Sequence, residues 1–176
     1  MVDIILSKLL QTGENVTSID LKEVTYDNYE EVMKLKIPKE QVKFILTDEE
    51  IENQFNPITS QMLYGIYCQG SHPLVIYKDD VIVGFMIYNF QSGIKCGWLS
   101  SLIIDGKFQN LGIGKVAIQK FIEMFYEKHE WVPLVTNTDK DNFLALKLYE
   151  GLGFRKCENM DDYDMDVDNV FLVRNL

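Results

Sequence analysis

Apolar and polar residues alternate over residues 19–24, the period of a half-buried strand. Asp27-Asn28-Tyr29-Glu30 then has the spacing of a capping box, which predicts a helix turning Tyr29, Val32, Met33 and Leu35 inward and closed by Pro38. A second box, Thr47-Asp48-Glu49-Glu50, opens another helical stretch, and residues 58–69 predict a third, broken at 70–73. Two β-rich runs follow, 74–77 and 81–90, with Lys78-Asp79-Asp80 between them as a hairpin turn. The run 97–104 completes an antiparallel meander.

After Asp105 the period changes. Ala117, Ile118, Phe121, Ile122 and Phe125 recur every three or four residues, so a helix is expected over 112–128. Residues 131–136 read as a short strand. A helix over 142–152 should bury Phe143, Leu146 and Tyr149 or their neighbours, with Gly153 in the position of a C-cap glycine. Residues 154–157 and 169–173 read as closing strands. Strands first, then strand–helix–strand–helix–strand, predict an α/β (α+β) fold with a mixed sheet and helices on its faces.

The 176 residues suit one domain spanning 1–176, with residues 1–18 as an N-terminal extension, since no repeat, low-complexity tract or Pro/Gly-rich linker divides them. No apolar run approaches the ~20 residues that span a bilayer. The short apolar stretch at the N-terminus contains Asp3, is followed by Lys8, and has no small-residue cleavage site after it, so it does not read as a signal peptide. Seventeen Lys and Arg against 27 Asp and Glu give a net charge of −10, which repels nucleic acid and anionic membranes and attracts cations. Neither nucleic acid nor membrane is therefore expected as a partner. Cys68, Cys96 and Cys157 form no paired motif and read as reduced thiols of a cytoplasmic protein. With His72 and His129 as the two imidazoles, no metal site is expected. The acidic run 161–168 lacks the mid-loop Gly and terminal Glu of a calcium loop and reads as a solvated hairpin loop.

The informative stretch joins the 97–104 strand to the next helix through Gln109-Asn110-Leu111-Gly112-Ile113-Gly114. Glycines at a helix entrance let the backbone approach a ligand, and the free N–H groups and dipole of the first turn favour phosphate. There is no Gly-Lys-Ser/Thr triplet, and the three-glycine dinucleotide spacing is missing. Some 30 residues on comes Asn142-Phe143-Leu144-Ala145-Leu146-Lys147-Leu148-Tyr149, then Leu152-Gly153-Phe154. The two halves together resemble the GNAT superfamily of N-acetyltransferases, whose pattern is Q/R-x-x-G-x-G/A followed by N-x-x-A-x-x-L-Y-x-x-x-G-F.

The resemblance implies a sheet of about six or seven mostly antiparallel strands with the fourth and fifth splayed apart. Acetyl-CoA would be the co-substrate. The backbone of Leu102, Ile103 and Ile104 would pair with its pantetheine arm, while Gln109, Asn110, Leu111, Gly112, Ile113, Gly114 and Lys115 would cradle the pyrophosphate. Asn142 would touch the pantetheine, and Tyr149 would protonate the departing thiolate. An amine attacks the thioester carbonyl, and a phenol suits the thiolate because their pKa values lie within ~2 units. The amide of Ile103 or Ile104 could polarise the carbonyl. A base is harder to place: many members use a carboxylate on the fourth strand, where this chain has Ser100 and Ser101. Water, or a carboxylate of the N-terminal helices such as Glu40, would then serve.

Residues 24–28, 32–35 and 40–45, with the Trp98-Leu99 to Ile104-Asp105 frame, are similar to bacterial spermine/spermidine acetyltransferases. Ser100, Ser101 and Leu102 depart from the Trp-Leu-Asp-Arg-aromatic order of that frame. The resemblance thus implies a primary amine acceptor, with a polyamine leading. Its alternatives are a protein, peptide or aminoglycoside amine, or a sensor that binds acetyl-CoA without turnover. Homodimers are common in the superfamily, and C-terminal edge strands could pair across such an interface.

Overall fold

The computed structural model describes residues 18–91, 96–129, 132–157 and 169–175. The N-terminal extension before Ser18, Trp131 and the acidic run 161–168 lie outside the described residues. Strand β1 (Ile19–Glu23) is followed by a short helix α1 (Tyr29–Val32), a 3-10 helix (Lys39–Phe44), α2 (Asp48–Glu52) and α3 (Pro57–Tyr67). The strands β2 (Ser71–Lys78), β3 (Val81–Gln91) and β4 (Cys96–Ile104) come next. After a 3-10 turn (Gly106–Phe108) the chain alternates α4 (Ile113–Lys128), β5 (Leu134–Asp139), α5 (Phe143–Glu150), β6 (Arg155–Lys156) and β7 (Asn169–Arg174).

These strands form one seven-stranded sheet in the order β1-β2-β3-β4-β5-β7-β6. Only the β4–β5 pair is parallel. The mixed, mostly antiparallel sheet expected from the sequence is therefore present. Asp79 and Asp80 both take positive φ, 49° and 63°, so the β2–β3 turn has the left-handed central pair that matches strand twist.

Alternation along β3 divides the core between the two faces of the sheet. Met86 and Tyr88 join Leu74, Ile76 and Leu99 under α4 and α5, meeting Ala117, Ile118, Phe121 and Phe125. Phe85 and Ile87 point the other way with Val75 and Ile103, against Val32, Leu35, Ile58 and Met62. Each fully buried Phe, Ile or Leu contributes about 1.5–3 kcal/mol relative to exposure.

Several local expectations need correction. The box expected at Asp27 does not form. Instead Asn28 Oδ1 accepts from the Thr25 amide at 2.8 Å and Asn28 Nδ2 donates to the Glu23 carbonyl at 3.0 Å, so that side chain braces the preceding turn. Helix α1 is only four residues long, and Tyr29 and Met33 are half-buried. The Thr47 box does form, with Glu50 N donating to Thr47 Oγ1 and Thr47 N to the Glu50 carboxylate. Strand β2 starts at Ser71 and includes Pro73, which lies past the last β1 pair (Glu23 with Leu74), so its missing N–H leaves no gap in that ladder. Strand β5 extends three residues beyond the expected end, to Asp139, because β7 pairs with it throughout. Phe143 is 65% exposed, while Leu146 and Tyr149 carry the buried side of α5. Among the described residues, no helix is long and apolar enough to cross a membrane.

Candidate active site

The site is built where two parallel strands part. Strands β4 and β5 pair only through Gly97–Leu134, Trp98–Val135 and Leu99–Thr136. Beyond that point residues 101–104 pair with β3 alone and residues 137–139 with β7 alone. The Thr136 hydroxyl donates to the Leu99 carbonyl at 2.8 Å and pins the vertex of the wedge. Gly97 is required there, since a Cβ would lie 2.2 Å from the buried Phe125 ring. The expected splay is thus present, and it leaves one backbone edge of β4 facing a cavity of about 470 Å³.

A bulge shapes that edge. Ile87 pairs with Ser101 and Tyr88 with Leu99, so Ser100 is an extra residue in β4. Leu99 and Leu102 can then both join the α4/α5 side of the core, although a regular strand would send residues three apart to opposite faces. Ser100, Ser101, Leu102, Ile103 and Ile104 all line the cavity.

At the outer end of β4, Asp105 is buried and accepts from the amides of Lys36 (2.8 Å) and Lys107 (2.9 Å), fixing where the loop starts. Gln109 Nε2 donates to the Ile104 carbonyl, and the amides of Gln109 and Gln41 form a reciprocal pair, each contact 2.9 Å. Asn110 (φ 61°) and Gly112 (φ 75°) take the left-handed turn that leads into α4. No side chain caps α4, so the N–H groups of its first turn have no acceptor within the helix and favour an anion. Gln109, Asn110, Gly112, Ile113, Gly114 and Lys115 line the cavity, whereas Leu111 is off its wall and 54% exposed. A Cβ on Gly114 would meet nothing closer than 3.8 Å, so the fold's own packing does not demand this glycine; it leaves clearance for a ligand.

The inner end is supplied by α5. Asn142 caps it, its Oδ1 accepting from Ala145 N at 3.3 Å, and stands on the cavity wall. About two turns on, Tyr149 is 6% exposed and packs edge-on to Phe154 at 5.4 Å. Gly153 (φ 85°) ends the helix so that the Phe154 amide reaches the Tyr149 carbonyl at 3.1 Å, which locks the tyrosine's backbone. Burial pushes the Tyr149 phenol above the ordinary range, and contact with the Thr136 hydroxyl pulls it back only in part. Tyr149 is therefore a neutral phenol at physiological pH, next to the strand vertex.

The opposite wall was only partly legible. Gln41, Phe44, Ile45 and Gln61 line it together with the two serines. Ser101 Oγ donates to Gln61 Oε1 at 2.6 Å. Ser100 Oγ is buried with no hydrogen-bond partner. Among the described lining residues, Lys115 and Tyr149 are the titratable ones, and none is a carboxylate. Glu40 is exposed and off the wall. Gln41, Phe44 and Ile45 lie in the 40–45 stretch that carries part of the resemblance, whereas Gln61 belongs to no recognisable spacing and is marked only by its position opposite β4.

The donor set fits a coenzyme A thioester: free amides for a pyrophosphate, a strand edge for an arm bearing two amides, and a neutral phenol at the inner end. The family model described as Acetyltransferase (GNAT) family matches residues 40–154. Over 150 residues the chain is 25% identical to the spermine/spermidine N(1)-acetyltransferase of Bacillus subtilis, covering 82% of this chain and 92% of that protein. The PaiA N-acetyltransferase of Thermoplasma acidophilum, solved in complex with coenzyme A, has a TM-score of 0.65 at 14% identity, over 91% of this chain and all of that one (100%). A spermidine N-acetyltransferase SpeG chimera from Vibrio cholerae and hSSAT has a TM-score of 0.64 at 13% identity, over 89% of this chain and 94% of its own. At such identities the two structures establish a shared fold.

Proposed function

Because the chain belongs to the GNAT acetyltransferase family, we propose that it moves the acetyl group of acetyl-CoA to a primary amine by direct attack in a ternary complex, with a polyamine such as spermidine or spermine as acceptor. The observation that carries this is one continuous cavity joining the uncapped start of α4, the free edge of β4 and the Tyr149 phenol. Acetyl-CoA supplies an acyl group activated as a thioester.

The chain's residues do the rest. The first-turn amides of α4, with Lys115 beside them, hold the diphosphate, and Gln109 keeps the loop in register through Ile104 and Gln41. The β4 edge at Leu102, Ile103 and Ile104 adds an extended ligand as a strand would, with its main-chain groups giving the affinity. Asn142 faces that arm. Tyr149, held neutral by burial, gives its proton to the sulfur as negative charge develops there. The polyamine reading draws on the relative in Bacillus subtilis and on the net charge of −10. That no described lining residue is a carboxylate favours a second reading, a single amine on a larger neutral molecule such as a peptide.

Release of free CoA, followed with a thiol reagent against a panel of amines, tests the proposal. Saturable turnover with spermidine and spermine, and little with peptides or aminoglycosides, is the expected result. Tyr149→Phe should then lower kcat by about 10²-fold or more while leaving acetyl-CoA affinity unchanged. Tight acetyl-CoA binding with no amine acetylated would make the protein a sensor.

A further inference from the structure

We propose that Gln41 is a positioning residue that couples the two substrates: through its paired amide on Gln109, a diphosphate held by the 109–115 loop fixes the segment 36–45, against which the amine docks. This deepens the acetyltransferase reading of the cavity and rests on it. Segment and loop are tied at two points. At the base, Asp105 accepts from the Lys36 amide at 2.8 Å, and the Gly106 amide donates to the Lys36 carbonyl at 2.8 Å. A Cβ on Gly106 would come within 3.4 Å of Pro38 Cδ, so this junction is closely packed. Further along, Gln41 makes the second tie, and it runs both ways. Gln41 Nε2 donates to Gln109 Oε1 and Gln109 Nε2 donates to Gln41 Oε1, each at 2.9 Å.

The hydrogen-bond inventory of Gln109 makes this tie specific. A primary amide has two N–H donors, and in Gln109 one is spent on the Ile104 carbonyl and the other on Gln41. The Ile104 carbonyl can only accept, which fixes the orientation of the Gln109 amide and, through it, that of Gln41. No Gln109 side-chain N–H is left for a phosphate, so the loop meets the ligand with its main chain and the acceptor segment with this side chain. The segment depends on the tie. Its 3-10 helix, Lys39–Phe44, buries none of its own residues and has no side-chain cap at its N-terminus. Beyond it, Gln61 Nε2 reaches the Ile45 carbonyl at 3.5 Å, longer than a good hydrogen bond. Yet Gln41, Phe44 and Ile45 all line the cavity opposite β4. Elements with few buried contacts open at low free-energy cost. A ligand that fixes the loop therefore also orders these residues, and the amine then binds without meeting that cost. By linkage, each substrate tightens the other by the same factor.

Amide hydrogen exchange of the full-length protein, with and without saturating coenzyme A, reads this coupling directly. In the wild type, coenzyme A should slow exchange about tenfold in residues 109–115 and in residues 39–45 alike. In Gln41→Ala the slowing at 109–115 should remain, while that at 39–45 falls to about twofold or less. Gln41→Met, which keeps the length of the side chain without its amide, should behave as Gln41→Ala does. Both variants should melt no more than about 4 °C below the wild type, the cost of one hydrogen-bonded pair. In both, KM for whichever amine is acetylated should rise about tenfold while kcat stays within about threefold. Slowing confined to 109–115 in the wild type, slowing at 39–45 that survives both substitutions, or an unchanged KM overturns the role of Gln41 and leaves the acetyltransferase reading intact. Coenzyme A that protects both stretches of a wild type acetylating no amine ends the enzyme reading and keeps the coupling. No slowing in either stretch sinks both.

Discussion

Two glycines show how tightly single positions control the site. At Gly84 a Cβ would sit 2.3 Å from the Ile103 carbonyl oxygen, and at Gly97 it would enter the Phe125 ring at 2.2 Å. The neighbours differ in kind. Phe125 is a buried side chain whose ring can shift somewhat, so Gly97→Ala should cost about 1–3 kcal/mol as overpacking does. The Ile103 carbonyl is backbone, held in the β3–β4 ladder on the strand that borders the cavity. Gly84→Ala should therefore be the worse of the two, about 3 kcal/mol or more, or roughly 6–12 °C in Tm for a chain of this length. It should also weaken acetyl-CoA binding, because Ile103 and Ile104 must move. Thermal melts rank the pair, and equal losses would mean that the ladder gives way as easily as the ring. Tyr149 shows the same dependence on surroundings: burial beside Phe154 keeps it a phenol, which is the state the proposed proton transfer needs.

At the scale of elements, the strand-to-helix turn was legible because its chemistry is local. Positive φ at Asn110 and Gly112, and a helix start with no side-chain cap, follow from Gln109–Gly114 read as a string. Asn142 caps the short helix that carries Tyr149, and both were equally visible. The opposite wall was legible only through the resemblance at residues 40–45, because Gln61 reaches Ser101 across 40 residues and Gln41 reaches Gln109 across 68, and no periodicity encodes those meetings. The end of α4 illustrates the same limit. Its period announces Phe121 and Phe125, yet nothing in it shows that His129 stacks on Phe90 at 4.1 Å and packs beside Phe125 at 4.8 Å. Burial lowers the pKa of His129, with Lys128 and His72 adding repulsion. A lowered folded-state pKa means that the unfolded chain binds the proton first. This contribution to stability is whole above the ordinary histidine pKa of about 6.5 and is lost as pH falls from there toward the folded value. His129→Phe, which keeps the ring stack, should leave Tm near pH 7.5 unchanged and shrink the drop in Tm between about pH 7 and 5.5. An undiminished drop would assign the pH dependence to other groups.

For the whole molecule, the field and the cavity pull in opposite directions. A net charge of −10 draws polyamines toward the protein but also favours their charged form, which cannot attack a thioester. On the proposed reading, the wall formed by Gln41, Gln61 and the two serines offsets this locally. These side chains are neutral, so they favour the uncharged amine over the ammonium. Long-range attraction and local neutrality are thus assigned to different parts of the protein, one spread over the surface and one confined to the wedge between β4 and β5. Attraction of the first kind is screened by salt, since the Debye length shrinks from about 30 Å at 0.01 M to about 8 Å at 0.15 M. Raising NaCl from about 0.01 M to about 0.3 M should lower kcat/KM for spermidine by about tenfold, through KM, with kcat nearly constant. A monoamine such as phenethylamine carries a third of the charge and should lose about twofold. Equal salt sensitivity for the two amines would mean that net charge has no part in acceptor choice, and the selection would then rest on the neutral wall alone.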